Sequence, residues 1–200
     1  MKTKKIKKEK TDGYNTKQKT DEVNKIECNQ LFTRFAVENI GPALILDAED
    51  LRTTFWLNRR GFKDITVPNP YIFDKIEKDV RMTAVNDYIG NFMSERFTRQ
   101  TNHYTAIWLD YCCSFDGNIE VKPQEDIKVL FGNKLLYNNS TLAVTFCFRK
   151  HTRVDYVGQD EDRVRTCIEN EARVNGYIAV SQRTKRYKGM FFIIFKVFKK

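Results

Sequence analysis

Two short apolar runs in this chain end in polar residues and pass at once into helix-like sequence. Ala43-Leu44-Ile45-Leu46 ends at Asp47-Ala48-Glu49-Asp50, and Ile65-Thr66-Val67 ends at Pro68-Asn69-Pro70. A third run, Ala106-Ile107-Trp108-Leu109, ends at Asp110-Tyr111-Cys112-Cys113. A parallel strand needs a crossover to reach its neighbour, usually a helix, so strand-then-helix repetition specifies a parallel α/β sheet. Ligands of such sheets bind beyond the carboxyl ends of the strands. The three polar run-ends therefore place candidate chemistry along one edge of one sheet.

The rest of the chain extends this pattern. Asn29 to Asn39 reads as a helix with Leu31, Phe32, Phe35 and Ala36 on one face, broken by Gly41-Pro42. Leu44 to Asp47 is the first strand and Asp50 to Arg60 the next helix, with Gly61 suited to its C′ position. Ile65 to Val67 is a strand stopped by Pro68; Asn69 suits an N-cap and Pro70 the first position of a helix over Tyr71 to Lys78. Met82 to Val85 is a third strand, Ile89 to Phe97 a short helix, and Thr105 to Leu109 a fourth strand. Pro123 opens a helix whose apolar side is Ile127, Leu130, Phe131 and Leu135. Thr141 to Phe148 is apolar on both faces, as expected at a sheet centre. Asp160 to Val174 is the last helix; Tyr177 to Gln182 and Met190 to Phe198 then form a hairpin around a polar turn, Arg183 to Gly189.

With 200 residues and 41% hydrophobic content, the chain fills one core. The net charge of +9 is uneven: Met1 to Lys25 holds nine Lys against four acids. A segment so poor in apolar residues cannot offset its ordering entropy, so residues 1–25 are expected to be a disordered basic tail ahead of an α/β domain over 26–200. Such a tail suits phosphate backbone, so RNA or DNA is the candidate partner. No run reaches the roughly 20 apolar residues needed to cross a bilayer. With no signal-peptide-like apolar core at the N-terminus, an intracellular site, cytoplasmic or nuclear, is expected. The five Cys form no C-x-x-C pair and read as buried free thiols, and no metal site is expected. The oligomeric state is open.

The element order resembles that of the class I S-adenosylmethionine-dependent methyltransferases. The resemblance runs from Ile40 to Lys200 and is carried by Leu46-Asp47-Ala48-Glu49, Val67-Pro68-Asn69-Pro70, Asn86-Asp87, Leu109-Asp110-Tyr111-Cys112 and the closing hairpin. It implies a three-layer Rossmann-like sandwich with a mostly parallel sheet closed by an antiparallel C-terminal hairpin. It also implies S-adenosylmethionine as cofactor, held after the first three strands, with catalytic contacts after the fourth. The glycine-rich turn of the family is replaced here by Asp47-Ala48-Glu49-Asp50, and the prolines that often follow the fourth strand are absent. The chain thus looks like a divergent member.

On this resemblance Asp47, Ala48, Glu49, Asn69, Asn86 and Asp87 are the cofactor-binding candidates. Asp110 would accept a hydrogen bond from an acceptor amine, and Tyr111 would stack on a base or flank the methyl group. Arg183, Lys185, Arg186 and Lys188, with Tyr187 among them, are candidates for nucleic-acid contact. Each has a plainer structural reading: Asp47, Glu49 and Asp50 suit a helix start, Asn69 a cap, Asn86-Asp87 a turn, and Asp110 a solvated strand end. Two alternatives remain at this stage. One is a catalytically silent Rossmann-like protein that binds nucleic acid or supports a partner enzyme. The other is a Mg²⁺-dependent phosphoryl hydrolase using Asp47, Glu49 and Asp110.

Overall fold

A computed structural model describes residues 22–96, 103–147, 155–187 and 189–200. The elements run α1 (Glu22–Ala36), β1 (Ala43–Ile45), α2 (Arg52–Arg59), β2 (Ile65–Pro68), α3 (Phe73–Ile76), β3 (Thr83–Val85), α4 (Ile89–Arg96), β4 (Tyr104–Asp110), α5 (Pro123–Gly132), β5 (Leu136–Cys147), α6 (Asp155–Val174), β6 (Tyr177–Tyr187) and β7 (Met190–Lys199). One seven-stranded sheet has the order β3-β2-β1-β4-β5-β7-β6. The pairs from β3 to β5 are parallel; β7 alone is reversed, antiparallel to both β5 and β6. This is the mostly parallel Rossmann-like sheet with a closing hairpin that the sequence implies.

The central strands are buried on both faces, and period-two alternation deals their side chains to two cores. Leu44, Ile107, Leu109, Leu142, Val144 and Phe146 face one core with Ile127, Leu130, Val164 and Ile168 of α5 and α6. Ala43, Ile45, Ala106, Trp108 and Ala143 face the other with Cys28, Phe32 and Ala36 of α1 and Leu57 of α2. Trp108 lies between Phe32 and Phe192, 5.1 Å from each ring centroid, and its Nε1 donates to Thr145 Oγ1 at 2.9 Å.

The hairpin does not simply extend the sheet edge. Its second strand, β7, inserts beside β5, and β6 becomes the edge. Composition explains this. Phe191 to Phe195 are all buried, whereas β6 alternates polar and half-exposed residues that tolerate solvent. The polar turn expected over Arg183 to Gly189 is mostly strand: β6 runs to Tyr187, with a register shift between Ser181 and Arg183, and Gly189 makes the turn at φ 76°.

Other boundaries also move. Among the described residues α1 runs from Glu22, so Lys25 is helical. Helix α3 is a short piece, Phe73–Ile76, because Asn69 and Pro70 begin a turn that reaches helical geometry only at Phe73. Gly61 does take the left-handed conformation after α2, at φ 99°. Cys28 is buried, but Cys113, Cys147 and Cys167 are only partly covered and Cys112 is exposed; none of the five is in a disulfide. Residues 1–21, Phe97, Phe148, His151 and Lys188 lie outside the described residues.

Candidate active site

A cleft of about 1480 Å³ opens at the carboxyl ends of β1, β2 and β4. Its wall includes Ala48, Glu49, Asn69, Tyr71, Tyr88, Gly90, Tyr111, Cys112 and, from α1, Lys25. Three loops converge there because β1 has β2 on one side and β4 on the other, all parallel.

The loop after β1 is held by Asp47. Its Oδ1 accepts from the Ala48 amide at 3.0 Å, and its Oδ2 from the Thr54 amide at 2.8 Å. Asp47 thus satisfies an orphan N–H in the first turn of α2 and does not line the cleft, so its plainer reading is the one realised. Burial raises its pKa to about 6 against the opposing pull of those hydrogen bonds. Glu49 is exposed on the cleft wall and pairs with Lys75 at 2.6 Å. The loop lacks glycine, yet its last residue needs glycine-like geometry. Leu51 sits at φ 47°, ψ 39°, with its side chain buried. A left-handed conformation costs a non-glycine residue about 1–2 kcal/mol, and burying Leu51 offsets it.

Asn69 ties two strand ends together. Its Nδ2 donates to the Asp47 carbonyl at 3.2 Å, and its Oδ1 accepts from the Tyr71 amide at 3.1 Å. It is buried, but an edge of it still reaches the cleft wall. Beyond it, the rings of Tyr71 and Tyr88 meet edge-to-face with centroids 5.7 Å apart and hydroxyls 3.3 Å apart, and Tyr71 also donates to Glu120. Asn86 and Asp87 do not join the cleft. Asp87 Oδ1 accepts from the Tyr88 amide at 2.7 Å and from Asn91 Nδ2 of α4 at 3.1 Å, while Asn86 is exposed.

At the end of β4 the two residues expected to do chemistry are both engaged. The Lys25 ammonium bonds Asp110 Oδ2; the two side chains are only 15% and 8% exposed. Burial alone would lower the pKa of Lys25, but the Asp110 charge and hydrogen bond outweigh it and raise it. Asp110 Oδ1 is buried and has no hydrogen-bond partner among the described residues. Tyr111 stacks on Phe146 with centroids 5.2 Å apart, and its hydroxyl donates to Asp126 Oδ2 at 2.7 Å. Burial raises the pKa of Asp126 to about 6. Gly90 makes this arrangement possible: a Cβ there would lie 2.2 Å from Asp126 Oδ1.

The basic residues of the hairpin lie along β6 rather than at a tip. Lys185 pairs with Glu27, and Arg186 with Glu161 at 2.7 Å; Arg183 is exposed, and Lys188 is outside the described residues. Asp47, Glu49 and Asp110 each turn to a different partner. Among the described residues no three His, Cys, Asp or Glu side chains converge in a group that could hold a metal ion. Among those residues, too, no helix is long and apolar enough to cross a membrane.

Sequence reasoning missed Lys25, Tyr71, Tyr88 and Asp126. Two carried a usable signal. Lys25 falls in helical phase with the buried Cys28 and Phe32, and Asp126 with Leu130, so each is a charge on an apolar face.

No family model and no curated protein sequence matches this chain. Solved structures do. N-methyltransferase NodS from Bradyrhizobium japonicum superposes with a TM-score of 0.57 at 13% identity, over 88% of this chain and 97% of its own. YhhF from Escherichia coli, described as a methyltransferase, gives 0.58 at 12% identity over 90% and 86%. A protein from Clostridium thermocellum described as an rRNA methylase gives 0.58 at 12% identity over 86% and 95%. The chain has the fold of the class I methyltransferases.

Proposed function

We propose that this protein is an S-adenosylmethionine-dependent methyltransferase that uses the cleft at the ends of β1, β2 and β4. The observation that carries the reading is the joint presence of the β3-β2-β1-β4-β5-β7-β6 order, with β7 alone reversed, and a cleft at its strand ends. Pockets for drug-sized ligands span roughly 300–1,000 Å³. A cleft of about 1480 Å³ has room for a cofactor and part of an acceptor.

The residues present fit the cofactor. Glu49 offers an exposed carboxylate for its ammonium group, and Ala48 keeps the turn small beside it. Asn69 offers its remaining amide proton and lone pair to a ribose hydroxyl. Tyr71 and Tyr88 present aromatic surface for the adenine. The cofactor supplies an activated methyl group on a sulfonium sulfur. The chain's part is to align the acceptor, exclude water and hold charge near the end of β4. The Tyr111–Asp126 pair, locked under Gly90, stiffens that wall. Nucleic acid is the partner supported by the basic tail and by the description of the Clostridium thermocellum neighbour.

One observation favours the silent, nucleic-acid-binding reading: Asp110 is already paired with Lys25. Calorimetry with S-adenosylhomocysteine decides between the two. Saturable binding that weakens in Glu49→Ala and Tyr88→Ala supports the methyltransferase. Absence of binding at millimolar ligand refutes it and leaves the silent reading.

A further inference from the structure

Among the described residues, Lys25 is the contribution of α1 to the cleft wall, and it comes from the first turn of that helix. Burying Cys28, Phe32 and Ala36 against the sheet fixes the rotation of α1 and aims Lys25 at the end of β4. There its ammonium covers Asp110. Lys25 lines the cleft and Asp110 does not, so an incoming group meets Lys25 first. The second carboxylate oxygen of Asp110 is buried and has no partner among the described residues, so the pocket has acceptor capacity that one lysine does not use.

Fold stability is a poor reason for such a pair. A buried ion pair is often no better than an apolar pair of the same volume, because both charges must be desolvated. A buried carboxylate does, however, discriminate strongly in favour of an N–H cation over a neutral group. A neutral nucleobase amino group would leave the Asp110 charge unmatched, whereas an aliphatic ammonium replaces Lys25 like for like. The exchange then swaps one ammonium for another and requires only that Lys25 leave Asp110 for water.

We propose that Asp110 forms an acceptor subsite selective for an aliphatic ammonium group, and that Lys25 occupies it in cis as a plug which the acceptor amine displaces; the bound ammonium gives one proton to the Asp110 carboxylate before its nitrogen, now with a free lone pair, can take a methyl group. The word acceptor rests on the methyltransferase reading above; the ammonium site itself does not. Nucleic acid held by the tail is then a docking partner rather than the methylated group.

The test restores the missing atoms. Lys25→Ala removes three methylenes and the amine, and n-propylammonium chloride supplies them. Thermal unfolding is followed against n-propylammonium, with n-propanol as the neutral control, in wild type, Lys25→Ala and Lys25→Ala/Asp110→Asn. The proposal expects a saturable rise in the midpoint of Lys25→Ala, with half-saturation at least tenfold tighter than in the double variant, and a rise in wild type only at higher amine concentration, where the amine displaces Lys25; no rise in wild type at any concentration overturns the displacement. Equal response of both variants, or none in either, overturns it. Should Lys25→Ala be unfolded alone, its recovery by n-propylammonium supports the proposal. Failure to recover while the double variant folds overturns it. S-adenosylhomocysteine calorimetry on the same samples separates the two ideas. Cofactor binding without an amine response removes the plug and keeps the methyltransferase. An amine response without cofactor binding keeps the ammonium site and removes its acceptor role.

Discussion

Burial and hydrogen bonding pull Asp47 in opposite directions, and a single substitution shows which wins. Its carboxylate accepts two backbone N–H bonds, an arrangement that lowers a carboxyl pKa. Yet it is only 4% exposed, and burial raises its pKa from 3.8 to about 6. The neutral form is therefore favoured by folding. Asp47 contributes most stability below about pH 4, where it is protonated in both states, and that contribution falls as pH rises through about 6. A shift of about two units corresponds to roughly 3 kcal/mol, at about 1.4 kcal/mol per unit. Asp47→Asn removes the titration and keeps the side-chain shape. It also loses one acceptor facing an amide N–H, a cost of about 1–3 kcal/mol that does not depend on pH. The prediction thus concerns the slope, not the absolute stability. In urea unfolding at pH 4 and pH 7.5, Asp47→Asn should gain on wild type by about 2–3 kcal/mol toward the higher pH. The Asp126 titration is common to both proteins and cancels. A difference that is flat, or that runs the other way, would show that the hydrogen bonds dominate and that Asp47 is an ordinary low-pKa cap.

Gly90→Ala puts a methyl group 2.2 Å from Asp126 Oδ1 and should cost about 1–3 kcal/mol of unfolding free energy. In an Asp126→Ala background most of that cost should vanish, which a denaturant double-mutant cycle measures. Trp108→Phe leaves Thr145 Oγ1 without its indole donor and opens space between Phe32 and Phe192, so a loss of about 2–4 kcal/mol is expected by denaturation. Tyr71→Ala should weaken S-adenosylhomocysteine binding by about 3–10-fold, the worth of one aromatic contact. It should leave the melting temperature nearly unchanged, since Tyr71 is 43% exposed; a large melting shift would show that its role is structural.

The candidate site was only partly legible. Ala48, Glu49, Asn69 and Tyr111 reach the cleft as strand-end residues of a parallel sheet should. Asp47, Asp87 and Asp110 sit at the expected strand ends, but their carboxylates turn to α2, α4 and Lys25. A sequence shows that an acid follows a strand. It does not show which nearby donor is closest once the chain is packed, and that donor decides whether the acid stays free.

The fold divides along the same line. Apolar runs, their polar ends and the helical periodicity between them determined that β1, β2, β4 and β5 would be parallel neighbours of one sheet, because these signals are local and a parallel pair allows few connections. Only the tertiary structure decided that β7 enters between β5 and β6, that α1 includes Lys25, and that Lys25 closes on Asp110. Those outcomes depend on which surfaces compete for the same burial. The apolar β7 wins the interior from the polar β6, and the stripe of Cys28, Phe32 and Ala36 carries Lys25 to an acid 85 residues away.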